Sequence, residues 1–344
     1  MATGAAAGVD ALIVPMPEVI CLGELLVDFV STTVDVGIGD CPSFVKAPGG
    51  APANVAAGLA KLGVSSGFIG KVGADPFGEF LRRSMQTAGV DTQYLLSDDE
   101  ARTTLAFVAT RQDGEKEILF YRNPGADFRL AKEELSADYI RTARAFHYGS
   151  ISLTHSPARE ATLFAIETAR NAGLLVSYDP NLRPPLWEAL DECRERIWQV
   201  MPFAHIAKLA EEEWEFITGT HDFIEGSARI LDQGISLVVM TCGAEGCRFA
   251  TRKTVGEYPA FIMDVVDPLG AGDGFVAGML SQLLQATDID ALSSAELKEI
   301  LRYASATGAL TTQSMGVIPA LPTSQQVEQF LKVIAQPGGR MGRG

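Results

Sequence analysis

Short apolar runs that alternate with stretches of helical periodicity are the feature that most constrains this chain. Each run is short enough to be a buried strand, and the stretches between them carry apolar residues at helical spacing. The predicted strands are 19–23, 68–70, 145–148, 174–178, 206–209 and 237–241, and the predicted helices are 52–62, 77–88, 158–171, 186–201 and 226–233. Strands that recur after helices pair in parallel and place helices on both faces of the sheet. The pattern therefore predicts an α/β fold of three layers with a mainly parallel central sheet.

Two stretches depart from this rhythm. Residues 26–45 and 103–120 alternate with a period of two, and a turn sequence at 112–114 interrupts the second stretch. Period-two patterning around such a turn is typical of antiparallel strands and a hairpin. We interpret about 26–47 and 101–125 as a small β-sheet lid inserted over one edge of the main sheet.

The remaining sequence is that of one domain, which we place at residues 18–330. The segments outside it, 1–17 and 337–344, are rich in small residues, and we expect them to be disordered tails. They hold no basic and apolar export signal, and no membrane span is visible anywhere in the chain. The five cysteines are odd in number and lack zinc-site spacing, which favours reduced thiols and a cytoplasmic location.

Charge limits the partners of this chain. The 344 residues carry a formal net charge of −15, so broad attraction to nucleic acid or to an anionic membrane is disfavoured. Any phosphate site must therefore be local, built from backbone amides, a metal ion and a few basic side chains.

One motif has the composition of such a local site. Residues 267–275 read DPLGAGDGF and predict a glycine-rich turn that opens a helix. The free N–H groups of Gly270, Ala271 and Gly272 would face a developing phosphate anion, and Asp273 would accept a proton from an alcohol. Phosphoryl transfer to a hydroxyl needs this pairing of an anion hole with a base. An ordinary glycine-rich helix cap is the alternative for the motif taken alone.

Further motifs bring in a family resemblance that spans residues 19–323. The chain resembles ribokinase-like (PfkB-type) sugar kinases, and within that family it is most similar to fructokinases, including those of plants. The segments that carry the resemblance are GGAPANVA at 49–56, FYRNPGAD at 120–127, FHYGS at 146–150, YDPNLR at 178–183 and the motif at 267–274. The resemblance implies the ribokinase-like fold, ATP and Mg²⁺ as cofactors, possible K⁺, and a homodimer formed through the β lid.

The resemblance also implies a sugar site. Glycines at a strand-to-helix junction let backbone approach a sugar, and an Asn one turn into the helix can bind hydroxyls. The predicted substrate residues are Asp28, Gly49, Gly50, Asn54, Arg122, Asn181 and Arg183. Each has a plainer alternative: a tight turn with a capping Asn, a strand-edge acid, an Asp-Pro-Asn turn, or a solvated surface charge.

Nucleotide and metal residues follow from the same resemblance. Lys208, Thr241, Gly243, Gly246 and Ser305 are expected to bind the nucleotide, Glu213 to hold Mg²⁺ through water, and Asp267 to contribute to a K⁺ site. Residues usual in the family are replaced by Ala210, Pro268, Leu269 and Ser305. These replacements bear on the metal network, the K⁺ site and the adenine contacts.

The sequence thus predicts an ATP-dependent fructokinase that phosphorylates the 6-hydroxyl of D-fructose. A relative that acts on 2-keto-3-deoxygluconate or 5-dehydro-2-deoxygluconate is the enzymatic alternative. A kinase-like protein that binds a sugar or a partner without phosphoryl transfer is the alternative of another class.

Overall fold

The structure is a computed structural model that describes residues 16–110, 116–122 and 124–334. Its strands, in chain order, are β1 (Val19–Leu22), β2 (Leu26–Ser31), β3 (Phe44–Gly49), β4 (Ser66–Gly73), β5 (Leu95–Asp98), β6 (Leu105–Thr110), β7 (Lys116–Tyr121), β8 (Ala145–Tyr148), β9 (Leu175–Tyr178), β10 (Ile206–Ala210), β11 (Leu237–Thr241), β12 (Cys247–Ala250) and β13 (Val255–Tyr258). The helices are α1 (Ala51–Lys61), α2 (Pro76–Thr87), α3 (Ala137–Arg141), α4 (Ala158–Asn171), α5 (Leu190–Val200), α6 (Glu211–Thr218), α7 (Phe223–Leu231), α8 (Ala271–Leu283), α9 (Ser294–Thr311), α10 (Val317–Ala320) and α11 (Ser324–Ile334).

Nine strands form the central sheet, in the order β13-β12-β11-β10-β9-β8-β1-β4-β5. All neighbours pair in parallel except β11 with β12 and β12 with β13, which are antiparallel. The predicted α/β fold with a mainly parallel sheet is confirmed. Sequence reasoning missed the two edge strands, β5 and β13, and β12, which lies next to β13.

The remaining four strands form a separate sheet in the order β3-β2-β6-β7. Strands β2 and β6 pair in parallel, whereas the two outer pairs are antiparallel. This sheet contains the two period-two stretches that the sequence assigned to a lid. The predicted turn at 112–114 lies outside the described residues, as do nearly all residues of the predicted tails.

The core lies on both faces of the central sheet. In β1 the side chains of Val19 and Cys21 join one apolar cluster, and those of Ile20 and Leu22 join the other. All four are fully buried, which explains why the strand reads as a continuous apolar run rather than an alternating one. In the part of the chain that the structure describes, no helix combines the length and apolar character of a membrane span.

Close helix packing sets the position of the glycine-rich motif. A Cβ at Gly278 of α8 would lie 2.7 Å from Thr307 Oγ1 of α9, and one at Gly58 of α1 would lie 2.7 Å from the Ala277 Cβ of α8. These contacts leave no room for larger side chains. Helices α1, α8 and α9 are therefore held together, with the first turn of α1 beside the first turn of α8.

Two predicted helix boundaries shift. Helix α5 begins at Leu190 rather than 186, because Pro184–Leu186 forms a separate 3₁₀ turn. Helix α7 begins at Phe223, three residues earlier than expected, where the Asp222 side chain accepts a hydrogen bond from the Glu225 N–H and caps the helix.

Candidate active site

A cavity of about 560 Å³ opens where β10 and β11 end and α8 begins. Parallel sheets bind ligands at this carboxyl edge. Eleven of the predicted site residues line it: Asn181, Arg183, Lys208, Thr241, Gly243, Gly246, Gly270, Ala271, Gly272, Asp273 and Ser305. The sequence placed these residues in one site, although they are spread over 125 positions of the chain, and the fold brings them together.

The glycine-rich turn has the geometry of an anion site. Gly270 adopts a left-handed conformation with φ 76°, and a Cβ there would collide with Val317 Cγ1. The first hydrogen bond of α8 runs from the Gly274 N–H to the Gly270 carbonyl, 2.8 Å away. The N–H groups that precede it have no acceptor within the helix, so they are available to an anion.

Asp273 lies in this first turn with 8 % of its surface exposed. Its Oδ2 accepts a hydrogen bond of 2.8 Å from Asn54 Nδ2 of α1. Burial raises the pKa of Asp273 to about 6, the Asn54 donor opposes this shift, and the charge of Asp179 adds to it. A carboxyl group with such a pKa is ionised at neutral pH and still basic enough to accept a proton.

Asn54 has capacity left for a ligand. Its side chain is buried, and its Oδ1 has no hydrogen-bond partner among the residues that the structure describes. Because a buried acceptor without a donor is costly, this oxygen is suited to a hydroxyl group bound next to Asp273.

A buried cation faces the same turn. Lys208 Nζ forms an ion pair of 3.1 Å with Asp179 Oδ2, and a Cβ on Gly272 would lie 3.2 Å from this Nζ. Burial by itself lowers the pKa of Lys208, but the carboxylates of Asp179 and Glu213 outweigh it and the pKa is raised. Lys208 therefore remains charged beside the anion site.

Glu213 has a structural task that the sequence did not reveal. Its Oε1 accepts from the Ala210 N–H at 2.8 Å and its Oε2 accepts from the Leu182 N–H at 2.7 Å. The first contact caps α6, where Ala210 offers no capping side chain, and the second fixes the loop after β9. Burial raises the pKa of Glu213, with Asp179 adding to the shift. The neighbouring Glu211 and Glu212 are exposed, as the solvated-turn alternative expected.

Asn181 and Arg183 stand on the loop that Glu213 fixes. Asn181 has φ 45°, a conformation that Asn tolerates better than most residues. Its N–H donates to Asp179 Oδ1 at 3.2 Å, and its Oδ1 accepts from Arg183 Nη1 at 2.8 Å. The Asp179 side chain thus bonds to the backbone two residues on within the Asp-Pro-Asn segment, and both Asn181 and Arg183 line the cavity.

Gly49 and Gly50 join β3 to α1 on the lid side, where only glycine fits. A Cβ at Gly49 would collide with the carboxylate of Asp28, and one at Gly50, which has φ 109°, would collide with the Glu24 carbonyl. Asp28 lies in the middle of β2, paired with Ala47, and β2 is an inner strand of the small sheet rather than an edge strand. These residues border the Asn54 side of the site and do not line the cavity of about 560 Å³.

Arg122 is not the solvated surface charge that the sequence offered as an alternative, because only 4 % of it is exposed. Its Nε donates to Asp127 Oδ2 at 2.8 Å, and its guanidinium lies 3.6 Å from the centre of the Phe128 ring. Thr104 Oγ1 donates to the other oxygen of Asp127 at 2.5 Å. The Arg122 guanidinium thus already has an anionic partner at the base of the lid.

Asp267 holds the loop that precedes the anion site. Its two oxygens accept from the Leu269 N–H at 3.0 Å and the Gly316 N–H at 3.1 Å. Its contribution to a K⁺ site remains a prediction. In the described part of the chain, no three His, Cys, Asp or Glu side chains form a group that could hold a metal ion.

All five cysteines are free, and four of them are buried, in agreement with the predicted reduced thiols.

Sequence reasoning missed two acids near the site. Asp179 was treated as a turn residue, yet it pairs with Lys208. Glu24 was not considered, yet it is 3 % exposed, and its Oε1 accepts from the Ala51 N–H at 2.8 Å. Burial raises the pKa of Glu24 to about 7. Both acids follow strands of the parallel sheet at the carboxyl end, and that position was the signal that could have found them.

Residues 16–324 match the pfkB family carbohydrate kinase group. The chain belongs to this family of carbohydrate kinases. This pfkB kinase is 47% identical over 318 residues to the Arabidopsis thaliana protein named probable fructokinase-6, chloroplastic, with 92% of this chain and 82% of the relative covered. It is 45% identical to fructokinase-2 of Solanum habrochaites over 91% of this chain and 96% of the relative.

Solved structures agree with this assignment. The pfkB kinase superposes on a fructokinase from Xylella fastidiosa with bound ATP at a TM-score of 0.85 and 33% identity, over 92% of this chain and 99% of the other. It superposes on a double mutant of Vibrio cholerae fructokinase bound to fructose, ADP and a potassium ion at a TM-score of 0.82 and 34% identity, over 92% and 98% of the two chains. The three-layer fold with its lid is thus that of an ATP-dependent sugar kinase family.

Proposed function

We propose that this kinase transfers the γ-phosphate of ATP to the 6-hydroxyl of D-fructose. The observation that carries the proposal is the meeting of three groups in one place: the free N–H groups of the α8 turn, the carboxylate of Asp273 and the ammonium of Lys208. An anion site, a base and a cation are what transfer of a phosphoryl group to an alcohol requires.

Asp273 is the base in this proposal. At neutral pH its carboxylate accepts the proton of the primary hydroxyl as that oxygen attacks phosphorus in line. Asn54 keeps the carboxylate oriented through Nδ2, and its unpartnered Oδ1 binds a second hydroxyl of the sugar. Asp28, Gly49 and Gly50 complete the sugar side.

The cation and the amides act on the transferred group. The N–H groups of Gly270, Ala271 and Gly272 stabilise the equatorial oxygens, and Lys208 offsets their charge across Gly272. Because Lys208 is already paired with Asp179, its ammonium is held in place before the nucleotide arrives. This preorganisation lowers the cost of stabilising the transition state.

Mg²⁺ fits this site only as a companion of the nucleotide. Both oxygens of Glu213 accept backbone hydrogen bonds, and so do both oxygens of Asp267. Mg²⁺ is commonly held by substrate phosphates, water and one or two carboxylates, so Glu213 would act through water as the sequence predicts. Bound Mg²⁺ supplies charge neutralisation on the phosphates.

Thr241, Gly243, Gly246 and Ser305 are proposed to contact the nucleotide, since all four line the cavity. Arg183 is proposed to bind a phosphate or the sugar from the opposite wall. A K⁺ requirement is supported by the potassium ion in the V. cholerae structure. A homodimer through the lid and a cytoplasmic location remain predictions of the sequence, and one relative is chloroplastic.

The similarity of this chain to plant fructokinases favours fructose as its substrate over the other sugars. These relatives match nearly the whole chain at 43–47% identity. The test is ADP release with Mg·ATP across fructose, glucose, mannose, ribose, 2-keto-3-deoxygluconate and 5-dehydro-2-deoxygluconate. We expect the highest kcat/KM with fructose and a loss of several orders of magnitude in Asp273→Ala.

The possible outcomes of this test separate the parts of the proposal. Higher kcat/KM with another sugar would overturn the substrate and keep the mechanism. Near-normal turnover by Asp273→Ala would overturn the base. Binding of fructose and ATP without turnover would support the kinase-like binding protein instead.

A further inference from the structure

A second cavity, of about 540 Å³, lies away from the site just described. Its walls come from four parts of the fold: the lid strands β2 and β3, the end of α1, the exposed face of α2, and the segment 315–319 that includes the start of α10. None of its lining residues lines the cavity that holds Asp273. We call it the lid-base crevice.

The charge of this crevice is opposite to that of the chain. Three cationic side chains line it, Lys46, Lys61 and Arg83, and no acidic residue does. The whole chain has 43 acidic residues against 28 basic ones. A lining whose charged side chains are all positive therefore differs from the composition of the chain as a whole. Such a concentration of positive charge attracts anions.

Two of these cations are available to a ligand. Lys46 Nζ lies 3.8 Å from the centre of the Phe80 ring, and no ion pair joins Lys46 to an acid among the described residues. Arg83 has a carboxylate 3.9 Å away on Glu79, but both side chains are about 70 % exposed or more, and such a pair is weak. Lys61 instead donates to the carbonyls of Ile318, Pro319 and Leu321, so it fixes one wall.

The rest of the lining is mostly apolar, with Ser84 and Thr87 as its uncharged polar residues. Its apolar side chains include those of Val30, Val45, Pro48, Phe80, Met315 and Ile318. A pocket that combines apolar walls with a few charged groups is typical of a small-molecule site. The chemistry that matches it is an organic anion with an apolar body.

Two walls of the crevice are formed by segments that also support the proposed anion site and the proposed sugar site. Gly316 lines it and donates its N–H to Asp267 Oδ2 at 3.1 Å, and the next residue, Val317, packs against Gly270. On the other wall, β3 passes Lys46 and ends at Gly49 on the sugar side. A molecule in the crevice therefore touches the supports of both the anion site and the sugar site.

We propose that the lid-base crevice binds a small organic anion, such as a phosphate ester with an apolar body, and that its occupancy changes catalysis through β3 and the 315–319 segment. A ligand alters activity when its affinity differs between conformations of the enzyme. A molecule wedged between the lid and α2 discriminates between positions of the lid, so the KM for sugar is the quantity that responds. This kinetic half rests on the proposed function, whereas binding does not.

Phenyl phosphate is the probe, titrated by calorimetry into the full-length enzyme saturated with ADP and fructose, which occupy the catalytic cavity. We expect one saturable site with an affinity for phenyl phosphate at least about tenfold above that for inorganic phosphate or phenol. Inorganic phosphate lacks the apolar ring, and phenol lacks the anionic group. Lys46→Ala and Arg83→Ala should each weaken binding by about fivefold. Thr87→Trp, which places an indole in the crevice from an exposed helix position, should abolish it.

Lys298→Ala is the matched control, since Lys298 is an exposed cation on α9 away from the crevice, and it should bind phenyl phosphate as the parent does. In turnover assays the probe should change the KM for fructose at least about twofold in the parent and in Lys298→Ala, and have no effect in Thr87→Trp. Equal binding in all variants, or none at millimolar probe, would overturn the site. Binding at the crevice with unchanged kinetics would overturn its coupling to catalysis.

Discussion

Replacing Asn54 by Leu tests the central contact of the site, the 2.8 Å hydrogen bond from Asn54 Nδ2 to Asp273 Oδ2. The substitution keeps the shape of the side chain and removes the donor. The carboxylate then loses a charged hydrogen bond in a buried site, whereas the protonated form loses little. We therefore expect the pKa of Asp273 to rise above its value of about 6.

The size of the shift follows from the contact. A hydrogen bond to a charged group contributes about 1.5–3 kcal/mol, and one pKa unit corresponds to about 1.4 kcal/mol, so the pKa should rise by about one to two units. The acid limb of kcat/KM would move from about 6 to about 7–8. At pH 7 the ionised fraction of the base falls about two- to tenfold by this effect alone, and it recovers by pH 9.

The assay is ADP release at saturating Mg·ATP from pH 5 to 9, fitted for the acid limb rather than for the absolute rate. Loss of the Asn54 contact to sugar lowers kcat/KM at every pH and leaves the limb in place. Asn181→Ala is the matched control, because Asn181 lines the same cavity and forms no hydrogen bond with Asp273 among those identified. An acid limb that stays near 6 in Asn54→Leu would refute the role of this contact.

Three further changes have defined outcomes. Gly270→Ala should lower kcat at least tenfold and destabilise the fold by about 2–4 kcal/mol, from backbone strain plus a clash, whereas Gly63→Ala, with φ 88° but open space around the Cβ, should cost only about 1 kcal/mol in urea unfolding. Arg122→Ala should cost about 3–5 kcal/mol because it leaves a buried carboxylate unpaired, against less than about 1 kcal/mol for the exposed pair of Arg141; equal losses would contradict the burial argument. Asp273→Asn should stabilise the fold by up to about 3 kcal/mol at pH 8, where the raised pKa makes ionisation costly. This gain should shrink as the pH falls through the folded pKa and vanish only below the ordinary carboxyl pKa of 3.8, at about pH 3, where the carboxyl is protonated in both states; a gain independent of pH would contradict it.

Much of the fold was predictable because its signals are local. Six strands of the central sheet, including β1 and β11, read as apolar runs, and the helices between them have clear periodicity and glycine stops. Edge strands escaped, since β5 and β13 are only four residues long and partly exposed. A short, half-exposed strand has too few apolar residues to stand out from a loop.

The residues of the candidate site show the same difference between local signals, which the sequence reveals, and long-range contacts, which it does not. The motif around Asp273 was legible because a glycine-rich turn must be contiguous to present successive N–H groups to an anion. The contacts around this motif could not be predicted from local sequence, because they form only on folding. Asp179 pairs with Lys208, and Asn54 binds Asp273 across 219 residues of sequence.

The sequence by itself determined the parallel α/β architecture, the small second sheet and the glycine-rich turn at the start of α8, because each depends on the order of neighbouring residues. Only the tertiary structure decided that Glu213 braces the loop of Leu182, that Arg122 is buried in an ion pair, and that Asp273 has a raised pKa. Burial and the approach of charges from distant segments set these properties, and neither is encoded in local sequence.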